Sequence, residues 1–471
     1  MKIWTHLIWG VLGLGLAVQA DAASSLQSAY IVLGPDMNQV ARVLTTETSC
    51  PTLKIDGRLK AMTLRASAKT IDLRPTQSKP ELSKPSVFDI TTCEADIRPG
   101  VKSVYVGSLR LPVRKQRLDR LVVIGDTGCR LKASSNEFQA CTDGDKYPFA
   151  RLAELAAAWH PDAVVHVGDY HYRENPCPDG NVACAGSPWG YGWDAWNADF
   201  FKPAAPLLLQ APLILARGNH ENCSRAGQGW WRFLDPRPME YQRDCNEQDH
   251  DKIGDYSPPY AVNLGGSAQI VVMDLSIAGD KALAATDPRV AEFQDTYAQL
   301  DKLSQGSAFT FALNHYPILG VSAEDKKGEI HLRPGNSAIQ SSFGSATRPL
   351  LPEHVNVLLA GHVHLWEQVS FAAPFPSQFI AGFSGTEEDK VPLPEKLPTD
   401  FSPAAGAIIE QFSSWVDGFG YMTLERLGTK VWKVKVWNLK GKIVNTCMIN
   451  DHKSKCAMAT VGKPLPITLS K

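Results

Sequence analysis

Neither sign of charge prevails in this chain of 471 residues: 48 Lys and Arg stand against 49 Asp and Glu, a formal net charge of -1. The balance leaves no electrostatic footprint for nucleic acid or for an anionic membrane surface, so any anionic substrate has to be held by a local device. No apolar run matches a membrane span of roughly 20 residues; the mostly apolar stretch from Ile3 to Val18 is short and contains His6 and several Gly. Ten Cys are present but no C-x-x-C pair, and no internal repeat recurs at a fixed period. With 44% hydrophobic and 21% charged residues, the chain can bury a sizeable core, which excludes disorder, collagen and a membrane bundle. The 36 Gly and 32 Pro indicate many loops. The length fits two or three domains, or one enzyme domain with long insertions.

Met1-Lys2, the apolar stretch behind it and the small-x-small site Ala20-Asp21-Ala22 together read as a secretory signal peptide over residues 1–22, with an uncleaved anchor as the competing reading. No Cys stands near the cleavage site, so no lipid anchor is expected there, and no stable membrane anchor after cleavage. The expected location is secreted or periplasmic. All ten cysteines lie in the mature part, and an even count in an exported chain favours disulfides over thiolate metal sites. Pairing of neighbours, Cys50–Cys93, Cys129–Cys141, Cys177–Cys184, Cys223–Cys245 and Cys447–Cys456, closes short loops at little cost in chain entropy.

From residue 23 to 117 the chain shows short β-like stretches separated by a Pro- and Lys-rich segment, Pro75 to Pro85, and reads as a small β-rich N-terminal domain. After Arg120 the pattern changes. Apolar strand runs occur at Leu121–Ile124, Ala163–Val167, Leu213–Ala216, Ile270–Met273, Phe309–Leu313 and Val355–Ala360, with helical periods at Phe149–Trp159 and Arg289–Leu303 between some of them. That alternation predicts a layered α/β core over residues 118–450, with polar residues displayed at strand ends. The end of the chain returns to alternating β patterns, followed by a tail over 451–471.

Five of the strand runs finish in a polar cluster: Gly125-Asp126-Thr127-Gly128, Gly168-Asp169-Tyr170-His171-Tyr172, Gly218-Asn219-His220-Glu221, Asn314-His315-Tyr316-Pro317 and Gly361-His362-Val363-His364. In four of them a Gly immediately precedes the polar residue, which allows a tight turn and close approach of the backbone to an ion or phosphate. One edge of the sheet would thus collect carboxylate, amide, phenol and imidazole groups, the inventory of a metal site. Taken singly, Asp and Asn after strands are also turn residues and caps; five such blocks in order, each after an apolar run, are specific.

These blocks resemble the binuclear metallophosphoesterases, and within them the purple acid phosphatases with their pattern GDxG, GDxxY, GNH(E/D), xxxH and GHxH. The resemblance spans roughly Leu121 to Trp366, with a further likeness at Gly192-Trp193-Asp194-Ala195-Trp196. It implies a layered β-sandwich core flanked by helices. It implies one metal bound by Asp126, Tyr172 and His364, a second by Asn219, His315 and His362, and a bridging carboxylate from Asp169. Carboxylate, phenolate and imidazole form a hard anionic set that suits Fe(III), whereas an amide and two imidazoles suit a divalent Zn, Mn or Fe. Many members of the wider superfamily carry a His where this chain has Gly128, so Tyr172 has to take its place. The implied reaction is hydrolysis of a phosphomonoester by a metal-activated hydroxide, in line and without a phosphoenzyme. His220 would sit over the leaving-group oxygen as hydrogen-bond donor or general acid, with Glu221 as an orienting partner.

Other readings stay open at this level. The same site could cleave phosphodiesters or nucleotide pyrophosphates, or could survive in a binding or surface protein without turnover. The substrate would be a phosphorylated small molecule or a phosphoprotein. His171 and Arg173 read equally as phosphate contacts or as a surface pair, Tyr170 competes with Tyr172 as the ligand phenol, and Arg217 is a phosphate contact or a rim charge. His166 reads as a core histidine. The aromatic-rich stretch from Trp189 to Phe201, with Trp230 and Trp231, reads as packing rather than a groove.

Overall fold

The computed structural model describes residues 25–458 apart from 76–77, 328, 346, 390–396, 399 and 417. The export segment read at residues 1–22 and the last part of the tail lie outside the described residues. Nine strands place the site: β1 (Leu26–Leu33), β2 (Arg120–Ile124), β3 (Ala163–His166), β4 (Leu213–Leu215), β5 (Ala268–Val272), β6 (Phe309–Leu313), β7 (Val357–Ala360), β8 (Ser377–Ala381) and β9 (Gly420–Arg426). Runs such as Leu-Val-Val-Ile are apolar on both faces, which suits parallel strands covered on both sides. Accordingly β2, β3 and β4 pair in parallel, as do β5, β6, β7 and β8.

The two parallel groups belong to different sheets, one of eleven strands and one of seven. Period-two alternation decides what each side chain meets. Leu121 and Val123 of β2 join Val165, Ile214, Ile270, Phe311 and Leu359 in the core between the sheets. Val122 and Ile124 point the other way, onto Phe149 and Leu152 of the helix α1 (Phe149–Ala158). On the second sheet Val271 and Ala312 likewise face Phe293 and Leu300 of α2 (Pro288–Ser304). The result is a sheet-on-sheet sandwich with helices outside. Each buried Val, Leu or Phe contributes roughly 1.5–3 kcal/mol of transfer free energy.

The β-rich N-terminal region is stitched into this sandwich. Strand β1 pairs in parallel with β4 at Val32 and Leu213 and then antiparallel with Gln39–Thr45, so the first sheet runs on into residues 26–97. Two buried arginines fasten the junction. Arg42 and Arg65 share Glu94 at 3.1 and 2.8 Å, Arg42 donates to the carbonyls of Phe233 and Asp235, and Arg65 donates to those of Trp231 and Arg237. Replacing Arg65 by Ala strands several buried carbonyls and half of a buried ion-pair network. The expected loss is about 3 kcal/mol, read as a lower midpoint of chemical unfolding with metal content unchanged.

Five disulfides are formed, Cys50–Cys93, Cys129–Cys141, Cys177–Cys184, Cys223–Cys245 and Cys447–Cys456, the neighbour pairing read from the sequence, and no cysteine is free. Such a density belongs to an oxidising compartment. Among the described residues no helix is long and apolar enough to cross a membrane.

Candidate metal centre

Strands β2, β3, β4, β6 and β7 all end at one edge of the sandwich, and the five polar clusters follow them there. The turns are tight. Asp126, Asp169 and His362 have φ of 53°, 56° and 70°, in the left-handed region that side-chain-bearing residues avoid. Each such residue costs of order 1–3 kcal/mol and is held by its surroundings, a pattern found at functional sites. The Asp126 amide donates to the Gly168 carbonyl at 3.1 Å, and the Asp169 amide to Glu221 Oε2 at 3.1 Å. Glycine is required where the loops cross: a Cβ on Gly218 would lie 2.0 Å from Asp169 Oδ1, and one on Gly168, at φ 104°, would lie 2.6 Å from His315 Nδ1.

One group of donors centres on the Tyr172 hydroxyl. It lies 2.8 Å from Asp126 Oδ1, 2.9 Å from Asp169 Oδ2 and 3.0 Å from His364 Nε2. The second centres on Asn219 Oδ1, 3.0 Å from His315 Nε2 and 3.0 Å from His362 Nδ1. Asp169 Oδ2 joins them, 3.1 Å from His315 Nε2. Asp169, His315 and His362 present ligand atoms that all lie within 4.8 Å of one another. Tyr170 takes the other role open to it: its ring stacks on His166 at 3.8 Å and its hydroxyl donates to the Ala216 carbonyl, so it packs beneath the site. A side chain at Gly128 would run into Asp199 Oδ2 and the Tyr172 amide, each 2.7 Å from the Cβ position. The first cluster therefore has no room for a further ligand at that point.

The hydrogen-bond chemistry of these groups fits a cation pair. His315 Nδ1 lies 3.0 Å from the Val167 carbonyl and His364 Nδ1 lies 2.9 Å from the Glu387 carbonyl, so both donate there and turn the Nε2 lone pair inward. His362 Nε2 is 3.7 Å from the Asp280 carboxylate. Such partners on the far nitrogen are what fix a ligand imidazole in its tautomer. Turned inward, Nε2 of His315 meets only acceptors, Asn219 Oδ1 and Asp169 Oδ2. Without a cation the acceptors have to be satisfied by protons. Burial opposes the charged form of His315, but Asp169 outweighs it and raises the pKa to about 9. Burial, with Asp126 and Asp169 adding to it, holds the Tyr172 phenol well above its ordinary range. A positive ion between these groups removes both demands, because cations deprotonate the phenol and leave imidazole neutral.

Around the cluster, His220 has a different partner from the one expected. Its Nδ1 is 3.0 Å from Glu174 Oε1, its ring lies 4.0 Å from that of Tyr172, and Nε2 is 3.9 Å from Asp169 Oδ2. Arg225 lies against the imidazole, with Nη2 2.7 Å from both ring nitrogens, and is itself paired with Glu174. Burial first, then the Arg225 cation, lowers the His220 pKa to about 3. Glu221 instead sits under the second loop, where its carboxylate accepts the amides of Asp169, Tyr170, His171 and Gly218. Burial and then Asp169 raise its pKa to about 8.

Two expected substrate contacts face elsewhere. His171 is fully buried between Tyr191 and Trp196, and Arg173 donates to Asp199 Oδ1 at 2.6 Å while buried beside Tyr147. Arg217 is also buried, spending its guanidinium on the carbonyls of Glu221 and Gly254 and on Asp255. Trp193, Trp196, Phe200, Phe201, Trp230 and Trp231 belong to the core, as packing predicts.

A cavity of about 710 Å³ opens over the cluster, bounded by Tyr172, His220, His362 and His364 and by Arg130, Lys132 and Arg225. Glu174 and those three cations escaped the sequence reading. They lie on segments whose course only the tertiary structure sets.

A family model described as calcineurin-like phosphoesterase matches residues 119–365. No curated protein sequence matches the chain. Among solved structures, a purple acid phosphatase isolated from yellow lupin (Lupinus luteus) seeds aligns with a TM-score of 0.50 at 13% identity, covering 92% of this chain and 74% of that one. A structure of PhoD gives 0.48 at 11% identity over 92% of both chains. GAP50, the anchor in the inner membrane complex of Plasmodium, gives 0.43 at 13% identity over 72% of this chain and 90% of that one. At these identities the likeness is one of fold.

Proposed function

Because the chain belongs to the calcineurin-like phosphoesterase family, we propose that it is an exported, metal-dependent phosphatase that hydrolyses phosphomonoesters in the manner of the purple acid phosphatases. The observation that carries this reading is the convergence of Asp126, Asp169, Tyr172, Asn219, His315, His362 and His364 from five loops into two adjoining donor groups. Asp126, Tyr172 and His364 would hold one ion, Asn219, His315 and His362 the other, and Asp169 would touch both. The anionic first set favours Fe(III), and the near-neutral second favours divalent Zn, Mn or Fe. Bound there, such a pair supplies Lewis-acid polarisation of phosphoryl oxygens and an acidified water.

The protein's own side chains do the remaining work. His220 lines the cavity beside Tyr172, oriented by Glu174; an incoming phosphate would offset the Arg225 charge that keeps the imidazole neutral and so let it carry the proton that the leaving-group oxygen needs. Arg225 lies beside it as a fixed positive charge facing an incoming phosphate. Asp169 takes the backbone amide of His220 at 2.8 Å, which ties the position of the imidazole to that of the bridging carboxylate. Five disulfides and the leader-like residues 1–22 support a secreted or periplasmic location.

Metal analysis and an absorption spectrum of the purified protein, with turnover of p-nitrophenyl phosphate against bis-p-nitrophenyl phosphate, test the reading. Two metal equivalents, visible absorbance and preference for the monoester are expected; a strong preference for the diester would overturn the monoesterase assignment. Tyr172→Phe is expected to bleach the visible band, since a phenolate bound to Fe(III) is its source. An active, iron-free and colourless protein would instead point to a Zn or Mn pair.

A further inference from the structure

The cavity is much larger than a single phosphoryl group requires, and one of its walls is cationic. Arg130, Lys132 and Arg225 stand along it. Arg130 brings Nη2 to 3.2 Å from His364 Nδ1, and Arg225 lies against His220. Both guanidiniums already have carboxylates: Glu137 lies 2.8 Å from Arg130, and Glu174 pairs with Arg225. Lys132 is left over. Half-buried among these same four charges, it makes no ion pair with a described residue.

Its place is fixed by the backbone on both sides. The Cys129–Cys141 disulfide closes the loop, the Leu131 amide donates to the Tyr172 carbonyl at 3.0 Å, and the Ala133 amide donates to Asn175 Oδ1 at 2.9 Å. A partly desolvated ammonium held beside two guanidiniums is unfavourable by itself and favourable once an anion enters. The cavity's acidic groups Asp280 and Asp389 do not answer it. Asp280 faces His362 and Asp389 accepts the His364 amide, and both side chains are about half exposed or more, at 69% and 47%.

Resting on the phosphatase reading above, we infer that Lys132, with Arg130, binds a second anionic group of the substrate. The preferred substrates are then phosphomonoesters that carry another phosphate or a carboxylate a short distance from the scissile phosphate. A neutral or aromatic leaving group leaves the ammonium without a partner.

Calorimetric titration of the metal-loaded protein with methylphosphonate, methylenediphosphonate and phosphonoacetate tests this, alongside turnover of p-nitrophenyl phosphate, ethylene glycol bisphosphate and phosphoglycolate. At least one two-anion probe is expected to bind about tenfold more tightly than methylphosphonate, the scale of one charge-assisted hydrogen bond. Which probe gains tells phosphate from carboxylate. Lys132→Ala should abolish the preference in both binding and kcat/KM, and Lys132→Arg should restore it. A preference that survives Lys132→Ala is chelation by the metals and overturns the assignment, as does the absence of any preference in the wild type. Should the loaded wild type turn over no phosphoester, the phosphatase reading fails, while a Lys132-dependent preference in the titrations would still stand.

Discussion

Asp169→Ala is expected to lose both metals together and to lower turnover of p-nitrophenyl phosphate by at least about 10³-fold, the rate equivalent of several kcal/mol of Lewis-acid stabilisation. The reason is geometric. Among the described residues Asp169 Oδ2 is the carboxylate oxygen that lies near both donor groups, 2.9 Å from the Tyr172 hydroxyl and 3.1 Å from His315 Nε2. Its Oδ1 receives the His220 amide at 2.8 Å. On the proposed assignment its removal would leave each ion a ligand short. Elemental analysis after dialysis reads the result. A variant that keeps two metal equivalents would refute the shared role, and one that loses a single equivalent would assign Asp169 to one site alone. Asn219→Ala is the useful comparison, since the second group alone depends on that amide.

The second large effect concerns proton supply to the leaving group. His220→Ala is expected to lower kcat for p-nitrophenyl phosphate by about 10²-fold or more, the usual scale for a lost general acid or base. Glu174→Gln should reproduce about a tenth of that loss through the imidazole, because it replaces the carboxylate that holds Nδ1 at 3.0 Å by a neutral amide and removes the charge that favours a protonated ring. Leaving-group dependence distinguishes this role from a structural one. With 2,4-dinitrophenyl phosphate, whose phenolate leaves unprotonated, both variants should recover most of the wild-type kcat while KM stays nearly constant. A deficit of equal size on both substrates would mean that the pair merely supports the fold. Arg225 bears on the same point, since Glu174 is also its partner and losing that carboxylate frees a buried charge.

How far the centre could be read from the chain follows from the range of the forces that place each residue. Asp126, Asp169, Asn219, His315, His362 and His364 each stand two to four residues past the end of an apolar strand run, so local sequence suffices to bring them to the sheet edge. Tyr172 was ambiguous with Tyr170 because both follow Asp169. The structure separates them by packing, one ring stacked on His166 and the other hydroxyl among carboxylates. Glu221 looked like the natural partner of its neighbour His220, yet four backbone amides of the second and third loops claim its carboxylate. A rigid loop in left-handed backbone needs those acceptors more than the imidazole does. His171 and Arg173 are buried instead against Tyr191, Trp196 and Asp199, contacts made with a segment some twenty residues further along the chain.

By itself the sequence determined the order of strands, the five clusters that follow them and the chemical character of their side chains. All of these depend on residues close together along the chain, where spacing and composition act directly. Only the tertiary structure decided that Glu174 rather than Glu221 holds His220, that Arg130, Lys132 and Arg225 form one wall of the cavity, how the cysteines pair, and that strands between residues 26 and 97 extend the same sheet as β2 to β4. Those outcomes turn on contacts between segments up to hundreds of residues apart. There the direction of a side chain is set by the packing and hydrogen bonds of its neighbours in space, which no local pattern records.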